Sequence, residues 1–488
     1  MTETVKTDAA QPVNPFQSAP NSKKLMAVVA VYLGVMANLL VSTTNSTCFP
    51  AAAQEIGGMD IYGLAQGISG VLSVCVMPIF GFISARNPHL KRPLAAGSLL
   101  IGAIVLLVRV IAVNMWMILV ANIFWGFVSG AVFAVGFTII RDVYDRKQAG
   151  VYLGLVSTFM AIAQLAGPAL GGAVIDNVGW RVWSVILCAF LLVACIAMWM
   201  SVKVTKEQAA PFAAKGGKFD FVGAVIIVVF LGALIVVLSL GSSFVPFGSS
   251  LSNTLLVVAA IALVAFIVWI AKKKNDCIIP LNALKDRNVL VLSASYFFHN
   301  FGSMSITFFL AGFIMTNCAN DPICLAIGPA LTAGIASALM AVLGLFMGPV
   351  FGKMIAKAGT AKNVIIIGNV ARVLVMAAFV LVLVPGVPVW AIWVIMFIAG
   401  VFNCQQTATQ SAGPQLCLTE QIRATGNSTA QMFSNLGAGI GMAVFTLLTA
   451  MDPVNGMRNC FIVTLVVWIV NFFVPFFMKK LSPEEEEK

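Results

Sequence analysis

Residues 93–140 read PLAAGSLLIGAIVLLVRVIAVNMWMILVANIFWGFVSGAVFAVGFTII, with Arg109 as the single charged side chain. The hydrocarbon core of a bilayer, about 30 Å thick, requires about 20 apolar residues in a helix, so this stretch can cross a membrane twice. The whole chain has the same character: its 488 residues are 60% hydrophobic and 10% charged, with a mean hydropathy of +0.99. Because soluble chains are about a quarter charged, this composition excludes a soluble enzyme.

Apolar runs of similar length recur from one end of the chain to the other. We therefore predict an all-α membrane protein with fourteen transmembrane helices. The predicted spans are 25–46, 61–85, 93–114, 116–140, 150–176, 181–202, 219–240, 252–271, 289–316, 328–350, 363–384, 389–411, 427–450 and 458–478.

The distribution of lysine and arginine predicts the orientation, since these residues accumulate in cytoplasmic loops. With the N-terminus inside, the outer loops hold only Arg181 and Arg458. Both termini are then cytoplasmic, and we expect a multi-pass monomer in the plasma membrane. The net charge of +11 is spread over many inner loops, so it calls for no nucleic acid partner.

Glycines recur at an offset of about 270 residues, or eight spans, in the pairs Gly81 and Gly352, Gly126 and Gly400, and Gly171 and Gly441. The repeat predicts two six-helix bundles separated by two inserted helices. The expected domains are a disordered cytoplasmic tail (1–24), an N-terminal bundle (25–204), two inserted helices with their linkers (205–288), a C-terminal bundle (289–478) and an acidic cytoplasmic tail (479–488).

The stretch Gly167-Pro168-Ala169-Leu170-Gly171-Gly172, followed by Trp180-Arg181-Val182-Trp183, resembles the antiporter motif of the major facilitator superfamily. Together with fourteen spans, the chain resembles the fourteen-helix drug:proton antiporter branch of that superfamily. The resemblance implies two bundles that rock about a central site. It also implies a conformational or gating role for seven residues, namely Gly81, Arg86, Gly167, Pro168, Gly171, Gly172 and Gly352.

Three departures from the family pattern concern charged positions. Ala85 stands where the loop after the second span normally has an acid, which puts a helix-end charge contact in doubt. Asn122, four residues before Gly126, replaces the usual arginine of the fourth span. The first span reads Val41-Ser42-Thr43-Thr44 where drug:proton antiporters often carry an aspartate. Neither of the two common proton-coupling positions therefore carries a charged side chain.

Three ionisable side chains fall inside the predicted spans: Arg109, His299 and Arg372. Intramembrane charges are costly and often functional. For Arg109 the alternatives are a snorkelling or interhelical role, and for His299 a neutral side chain bonded to a neighbouring helix. Since every Asp and Glu lies in a loop, a tail or at a span end, an organic anion would be a natural partner for the arginines.

Polar residues at helical spacing define one face in each of four spans, the first, fourth, ninth and twelfth. An amide without a hydrogen-bond partner in hydrocarbon costs several kcal/mol of free energy, so these faces must meet one another or water. They either make polar contacts between packed helices or line a cavity. We expect a wet central cavity. With the arginine of the eleventh span, the predicted substrate-binding residues are Asn38, Ser42, Asn45, Asn122, Trp125, Tyr296, His299, Asn300, Ser303, Asn403, Gln406, Gln410 and Arg372.

These features favour a transporter that moves a small amphipathic organic compound, an organic anion or a drug, by alternating access. Bile-acid carriers of anaerobic bacteria are similar in belonging to this branch, so proton-dependent uptake of a steroid acid is the main alternative. A membrane receptor or channel on a transporter fold is a further one. The sequence shows no Asp/His pair, metal cluster or phosphate-binding loop that would indicate an enzyme. We expect no cofactor or metal. The expected partners are lipid, the substrate and protons. Cys318 and Cys324 share an outer loop, where we favour free thiols.

Overall fold

A computed structural model describes residues 15–58, 62–213, 220–240, 245–246, 248–277, 279, 281–310, 313–314, 318, 321–327, 329–382, 386–451 and 456–481. The side chains of some residues within these ranges are not described. Every regular element of the described ranges is helical. Residues 482–488 of the predicted acidic tail lie outside them.

Eight α-helices lie in the described part of the chain before the two inserted helices. They are α1 (Asn21–Ile56), α2 (Tyr62–Arg86), α3 (Lys91–Val110), α4 (Met115–Val143), α5 (Arg146–Ala166), α6 (Gly172–Val178), α7 (Trp180–Met200) and α8 (Lys206–Ala209). A π-helical turn, Gly167–Gly171, joins α5 to α6, so the glycine-proline motif interrupts the regular α-helix.

The remaining helices comprise the insertion and the second half. They are α9 (Phe221–Leu240), α10 (Ser250–Lys273), α11 (Leu281–Lys285), α12 (Arg287–Met304), α13 (Pro322–Ile327), α14 (Pro329–Val342), α15 (Gly344–Ala358), α16 (Lys362–Val382), α17 (Val389–Cys417), α18 (Glu420–Met451) and α19 (Gly456–Phe473). A π-helical turn, Ser305–Leu310, continues α12.

Short polar side chains set several helix starts. The Asn114 carboxamide accepts a hydrogen bond from the Met117 amide (3.0 Å), which begins α4 and separates it from α3 within the apolar stretch 93–140. Asp145 accepts from the Gln148 amide (2.9 Å) in the same way at the start of α5. Such N-caps satisfy backbone donors that have no partner within the helix.

Ten helices of the described ranges are long and apolar enough to cross a membrane, and two shorter apolar helices lie at Leu72–Arg86 and Phe221–Leu234. Each of the fourteen predicted runs overlaps a helix. The prediction of an all-helical membrane protein is therefore confirmed, whereas the count of fourteen crossings stays a prediction.

The pair Gly126 and Gly400 makes corresponding contacts in the two halves of the chain. A Cβ on Gly126 of α4 would meet the Ser69 carbonyl of α2 at 2.2 Å. In the second half, a Cβ on Gly400 of α17 would meet the Met340 carbonyl of α14 at 3.0 Å. Both glycines thus allow the fourth helix of a half to pack closely on the second.

The other glycine pairs lie where different helices meet. Gly171 packs against Thr44 of α1, and Gly441 packs against Phe301 of α12. Gly81 of α2 contacts Ser428 of α18, while Gly352 of α15 contacts α5 at Gly150 and Gly154. These corresponding contacts agree with a structural repeat. They do not test the predicted domain boundaries, which stay predictions.

The inserted helix α9 packs against both α2 and α18. Its buried residue Leu231 belongs to one apolar cluster with Val74 of α2 and Leu436 of α18. The insertion therefore lies along the line where α2 and α18 meet.

The prediction of a disordered tail over residues 1–24 is wrong for its last ten residues, and residues 1–14 lie outside the described ranges. Phe16 is 9% exposed and packs into the main apolar cluster. Moving an aromatic ring out of water lowers the free energy, which favours this burial. Residues 21–24 already form the first turn of α1, which begins at Asn21 rather than Leu25.

Candidate functional site

A buried arginine at the middle of α16 is the centre of a cluster of amide side chains. Arg372 is 0% exposed, and its Nη1 donates to Asn369 Oδ1. Its Nη2 donates to Gln405 Oε1 at 2.6 Å and to Gln406 Oε1 at 3.0 Å. The oxygens of three carboxamides thus hold the guanidinium, and no ion pair to it occurs within the described part of the chain.

The NH2 groups of these three amides differ in whether they have a hydrogen-bond partner. Asn369 Nδ2 donates to the Asn471 carbonyl (2.9 Å), and Gln405 Nε2 donates to Thr409 Oγ1 (2.9 Å). Gln406 Nε2 is buried without a hydrogen-bond partner among the described residues, as are Arg372 Nε and His299 Nδ1. Each such buried group costs about 1–3 kcal/mol if nothing satisfies it.

Ser434 of α18 connects two of the predicted polar faces. Its hydroxyl oxygen accepts from Asn300 Nδ2 of α12 and from Gln410 Nε2 of α17, both at 2.7 Å. Gln431 Nε2 also donates to the Gln410 carbonyl at 3.2 Å. The structure therefore brings together residues from three helices, two of which were predicted to line a cavity.

His299 is 4% exposed and packs against two aromatic rings. Its ring is parallel to that of Trp468, with centroids 6.2 Å apart, and edge-on to Phe402 at 6.0 Å. Tyr296, one turn before, is fully buried and donates its hydroxyl to the Thr409 carbonyl of α17. Ser303 donates to the Asn300 carbonyl at 3.1 Å, within its own helix. Tyr296 therefore joins α12 to α17 as part of the packed interior.

Arg109, the second buried arginine, is 2% exposed and joins three helices of the first half. Its Nη1 donates to Asn45 Oδ1 of α1 (3.2 Å), and its Nη2 donates to Asn122 Oδ1 of α4. The guanidinium carbon also lies 5.1 Å from the ring centre of Phe49 and 5.8 Å from that of Trp125. The snorkelling alternative for this side chain is therefore wrong, and the interhelical one is right.

Asn122 replaces the arginine that the family usually places before Gly126, yet it accepts a hydrogen bond from a guanidinium on the neighbouring helix α3. Its Nδ2 donates in turn to the Ala65 carbonyl of α2. A positive charge is thus present beside this position of α4, although it comes from a different residue than in the family pattern.

The remaining predicted binding residues lie on α1 and α17. Asn38 is buried, and its Oδ1 accepts from Ser129 of α4 at 3.4 Å, whereas Ser42 is exposed. Asn403 Nδ2 donates to Gln164 Oε1 of α5 at 3.4 Å and so contacts the other half of the chain. Whether these faces line one central cavity stays a prediction.

Two of the predicted gating residues lie where the halves of the chain meet. Gly352 and Gly81 make the contacts between halves given above. Gly167 packs against Thr43 of α1 within the first half. Gly172 begins α6 after the π-helical turn, and the Pro168 side chain is not among those described. These positions fit close helix packing, and a role in gating stays a prediction.

The acid missing at Ala85 has a counterpart elsewhere in the fold. Arg86 lies 3.8 Å from Asp276, a residue just after the inserted helix α10, while Lys91 pairs with buried Asp142 at 2.6 Å. Arg86 and Lys91 therefore have carboxylate partners that distant parts of the sequence supply.

All ten cysteines, Cys318 and Cys324 among them, are free thiols in this structure. Burial raises the pKa of the Cys318 thiol to about 11, which keeps it protonated. Among the described residues, no group of three His, Cys, Asp or Glu side chains could hold a metal ion.

The sequence analysis missed Asn369, Gln405, Asn471 and Ser434. Asn369 precedes Arg372 by three residues, which places both on one helical face, so this partner could have been found from the sequence. The role of Ser434 depends on how α12, α17 and α18 meet, and no local pattern indicates it.

The sequence profile of the Major Facilitator Superfamily matches residues 31–284 and 292–488. The chain belongs to this superfamily. It is 20% identical over 446 residues to Multidrug resistance protein 3 of Bacillus subtilis, covering 91% of this chain and 83% of that one. It is 26% identical over 304 residues to Efflux pump dotC of Dothistroma septosporum, covering 60% of this chain. The chain spans about half the length of such fungal relatives, 50% in this case.

The fold is shared with a protein of known structure. The crystal structure of the human organic anion transporter MFSD10 (TETRAN) superposes with a TM-score of 0.62 at 14% identity, over 94% of this chain and 100% of that one. As a member of the superfamily, this chain is a multi-pass membrane protein. The proteins named above include an efflux pump and an organic anion transporter.

Proposed function

We propose that this superfamily protein moves a small amphipathic organic anion across the membrane by alternating access of two six-helix bundles. The buried Arg372, held by three amide oxygens and by no carboxylate of the described residues, is the observation that supports an anion. A buried positive charge is costly without a counter-charge, and a bound anion supplies one. The human structural neighbour is an organic anion transporter, which agrees with this substrate class.

The arrangement around Ser434 supports a site between α12, α17 and α18. Asn300 and Gln410 both donate to one hydroxyl oxygen, so the three helices can move as one unit. Phe402 and Trp468 beside His299 provide apolar surface for the hydrophobic part of an amphipathic molecule.

The finer assignments belong to the same proposal. We infer fourteen crossings, membership of the drug:proton antiporter branch, both termini in the cytoplasm, a plasma membrane location and a monomer. His299 is the candidate for proton handling, because histidine can titrate near neutral pH. The acids of the described spans lie at span ends, as Asp142 does at the end of α4. Proton-dependent uptake of a bile acid is the specific form of the function that we would test first.

The test is uptake of radiolabelled cholate into proteoliposomes with a pH gradient and a membrane potential imposed separately. We expect saturable uptake, accelerated counterflow, and loss of transport in Arg372→Ala. Loss of the response to pH alone in His299→Ala would assign proton coupling to this histidine. Flux without saturation or counterflow would favour a channel, and absence of uptake under every gradient would contradict the anion carrier and favour drug export.

A further inference from the structure

Arg372 fixes the orientation of the amides that surround it. A guanidinium can only donate hydrogen bonds, so Gln405 and Gln406 must each turn the carbonyl oxygen toward it. The amide NH2 group of each glutamine then points away from Arg372. The positive charge thereby determines where two further hydrogen-bond donors lie.

The two NH2 groups differ in what they meet. Gln405 Nε2 donates to Thr409 Oγ1 at 2.9 Å, within the same helix. Gln406 Nε2 has no partner among the described residues, although the residue is 3% exposed. A buried donor without an acceptor is unfavourable, so this group calls for an acceptor that the described protein does not supply.

Gln406 also lies on the face of α17 that meets other helices of the proposed site. Asn403, three residues before it, donates to Gln164 of α5, and Gln410, four residues after it, donates to Ser434 of α18. Residues at these spacings share one side of a helix. Parting of the two halves at the Asn403 contact would open this side of α17.

We propose that Gln406 donates from Nε2 to a carboxylate oxygen of the transported organic monoanion, and that Arg372 is the positioning residue that orients this amide and supplies the compensating charge. This inference rests on the proposed function and sharpens it. Both Nη atoms of Arg372 are already engaged by amide oxygens, so the arginine acts chiefly through the glutamine rather than as the direct anion contact.

Gln405 provides a matched control, since either glutamine gives Arg372 one oxygen. Gln405→Met and Gln406→Met each remove one acceptor from the arginine at nearly constant volume, but only the second removes the unpartnered NH2 group. The probes are radiolabelled cholate and its uncharged methyl ester, in equilibrium binding to the purified protein in nanodiscs. We expect wild-type protein to prefer cholate over the ester.

Gln406→Met removes a hydrogen bond to a charged carboxylate. We therefore expect it to weaken cholate binding about tenfold to a hundredfold and to leave ester binding unchanged. Gln405→Met should change cholate binding less than about threefold. In a double-mutant cycle, Arg372→Met should cost much less affinity when Gln406→Met is already present, because the arginine acts through that glutamine.

Equal losses in the two methionine variants, or additive losses in the cycle, would overturn the proposal, since they indicate general loosening of the cluster. Wild-type protein that shows no preference for cholate over the ester would also overturn it. Cholate binding with the expected dependence on Gln406 but no uptake into proteoliposomes would instead contradict the proposed transport function.

Discussion

Gly154 of α5 and Gly348 of α15 face each other so closely that neither position has room for a side chain. A Cβ on Gly154 would lie 2.5 Å from the Gly348 carbonyl oxygen, and a Cβ on Gly348 would lie 2.5 Å from the Gly154 carbonyl oxygen. One turn away, Gly150 and Gly352 have the same reciprocal relationship, at 2.8 Å and 2.0 Å. The two halves therefore meet backbone to backbone along these helices.

The first prediction is that Gly154→Ala prevents this approach. Backbone atoms are the obstacle, so α5 and α15 must separate, at a cost of about 1–3 kcal/mol typical of overpacking. We expect a lower melting temperature and reduced uptake. The control is Gly97→Ala in α3, where a Cβ meets nothing within 4 Å and alanine favours the helix. Equal melting temperatures for wild-type protein and Gly154→Ala would contradict the proposed close packing.

The second prediction concerns Phe16, whose ring lines a cavity between residues of both halves. The cavity is bounded by Lys91 and Asp142 on one side and by Arg423 and Ala424 on the other. Phe16→Ala should therefore loosen this end of the molecule. We expect faster labelling of a cysteine introduced by Ala424→Cys with a membrane-impermeant maleimide, measured against the native cysteines as background.

The control for this variant is Ser18→Ala, because the Ser18 side chain is exposed and its hydroxyl donates to the Pro15 carbonyl of its own turn. Ser18→Ala should leave the labelling rate unchanged. If Phe16→Ala also leaves it unchanged, the ring does not help to hold the two halves together.

The sequence predicted those features that depend on local pattern. Apolar runs located the helices, and glycine spacing revealed pairs such as Gly126 and Gly400 that make corresponding contacts in the two halves. Intramembrane charge identified Arg109 and Arg372 as buried side chains worth attention, because an unpaired charge in hydrocarbon is so costly.

The partners of those charges could not be predicted in the same way. Arg109 bonds to Asn45, 64 residues away, and Asn300 bonds to Ser434 across 134 residues. Such contacts depend on how helices pack, which the helical period does not determine. Phe16 shows the same limit, since a polar stretch of sequence gave no sign that one ring within it is buried.

The third prediction is that folding stability depends on pH through Glu55, which lies at the end of α1, beyond the candidate span Asn21–Asn45. Glu55 accepts hydrogen bonds from Trp180 Nε1 (2.6 Å) and from Arg181, and these bonds lower the pKa of the carboxyl. A lowered pKa in the folded state stabilises the fold above the unfolded value, about 4.3, and this stability is lost as the pH falls through the folded value.

Glu55→Gln removes the charge and nearly keeps the shape, so it should lower the melting temperature at pH 7 and lose its effect at acid pH. The change should be small, because the Glu55 side chain is 53% exposed. Melting curves of both proteins between pH 7 and pH 3 measure it. A difference that stays constant across this range would show that the carboxylate charge contributes nothing.

The fourth prediction follows from the depth of Arg372, the eleventh of the 21 residues of α16. In alternating access, a fixed charge at mid-depth lies at the outer potential in one state and at the inner potential in the other. Reorientation of the empty carrier then moves up to one positive charge through the field. A bound monoanion neutralises that charge, so a carrier loaded with the anion but with no proton on His299 reorients without moving charge.

Net uptake of cholate should therefore respond to membrane potential, while exchange of cholate for cholate should not. Moving one charge through a potential of about 100 mV changes its free energy by about 2.3 kcal/mol. Such a potential can therefore shift the ratio of outward-facing to inward-facing empty carriers by up to about fifty-fold. Arg372→Lys keeps the charge and should keep the voltage dependence of net uptake. The measurement is net uptake and exchange in proteoliposomes at imposed potentials of either sign. Exchange that depends on voltage as strongly as net uptake would show that the loaded carrier is charged and that Arg372 is not neutralised by the substrate.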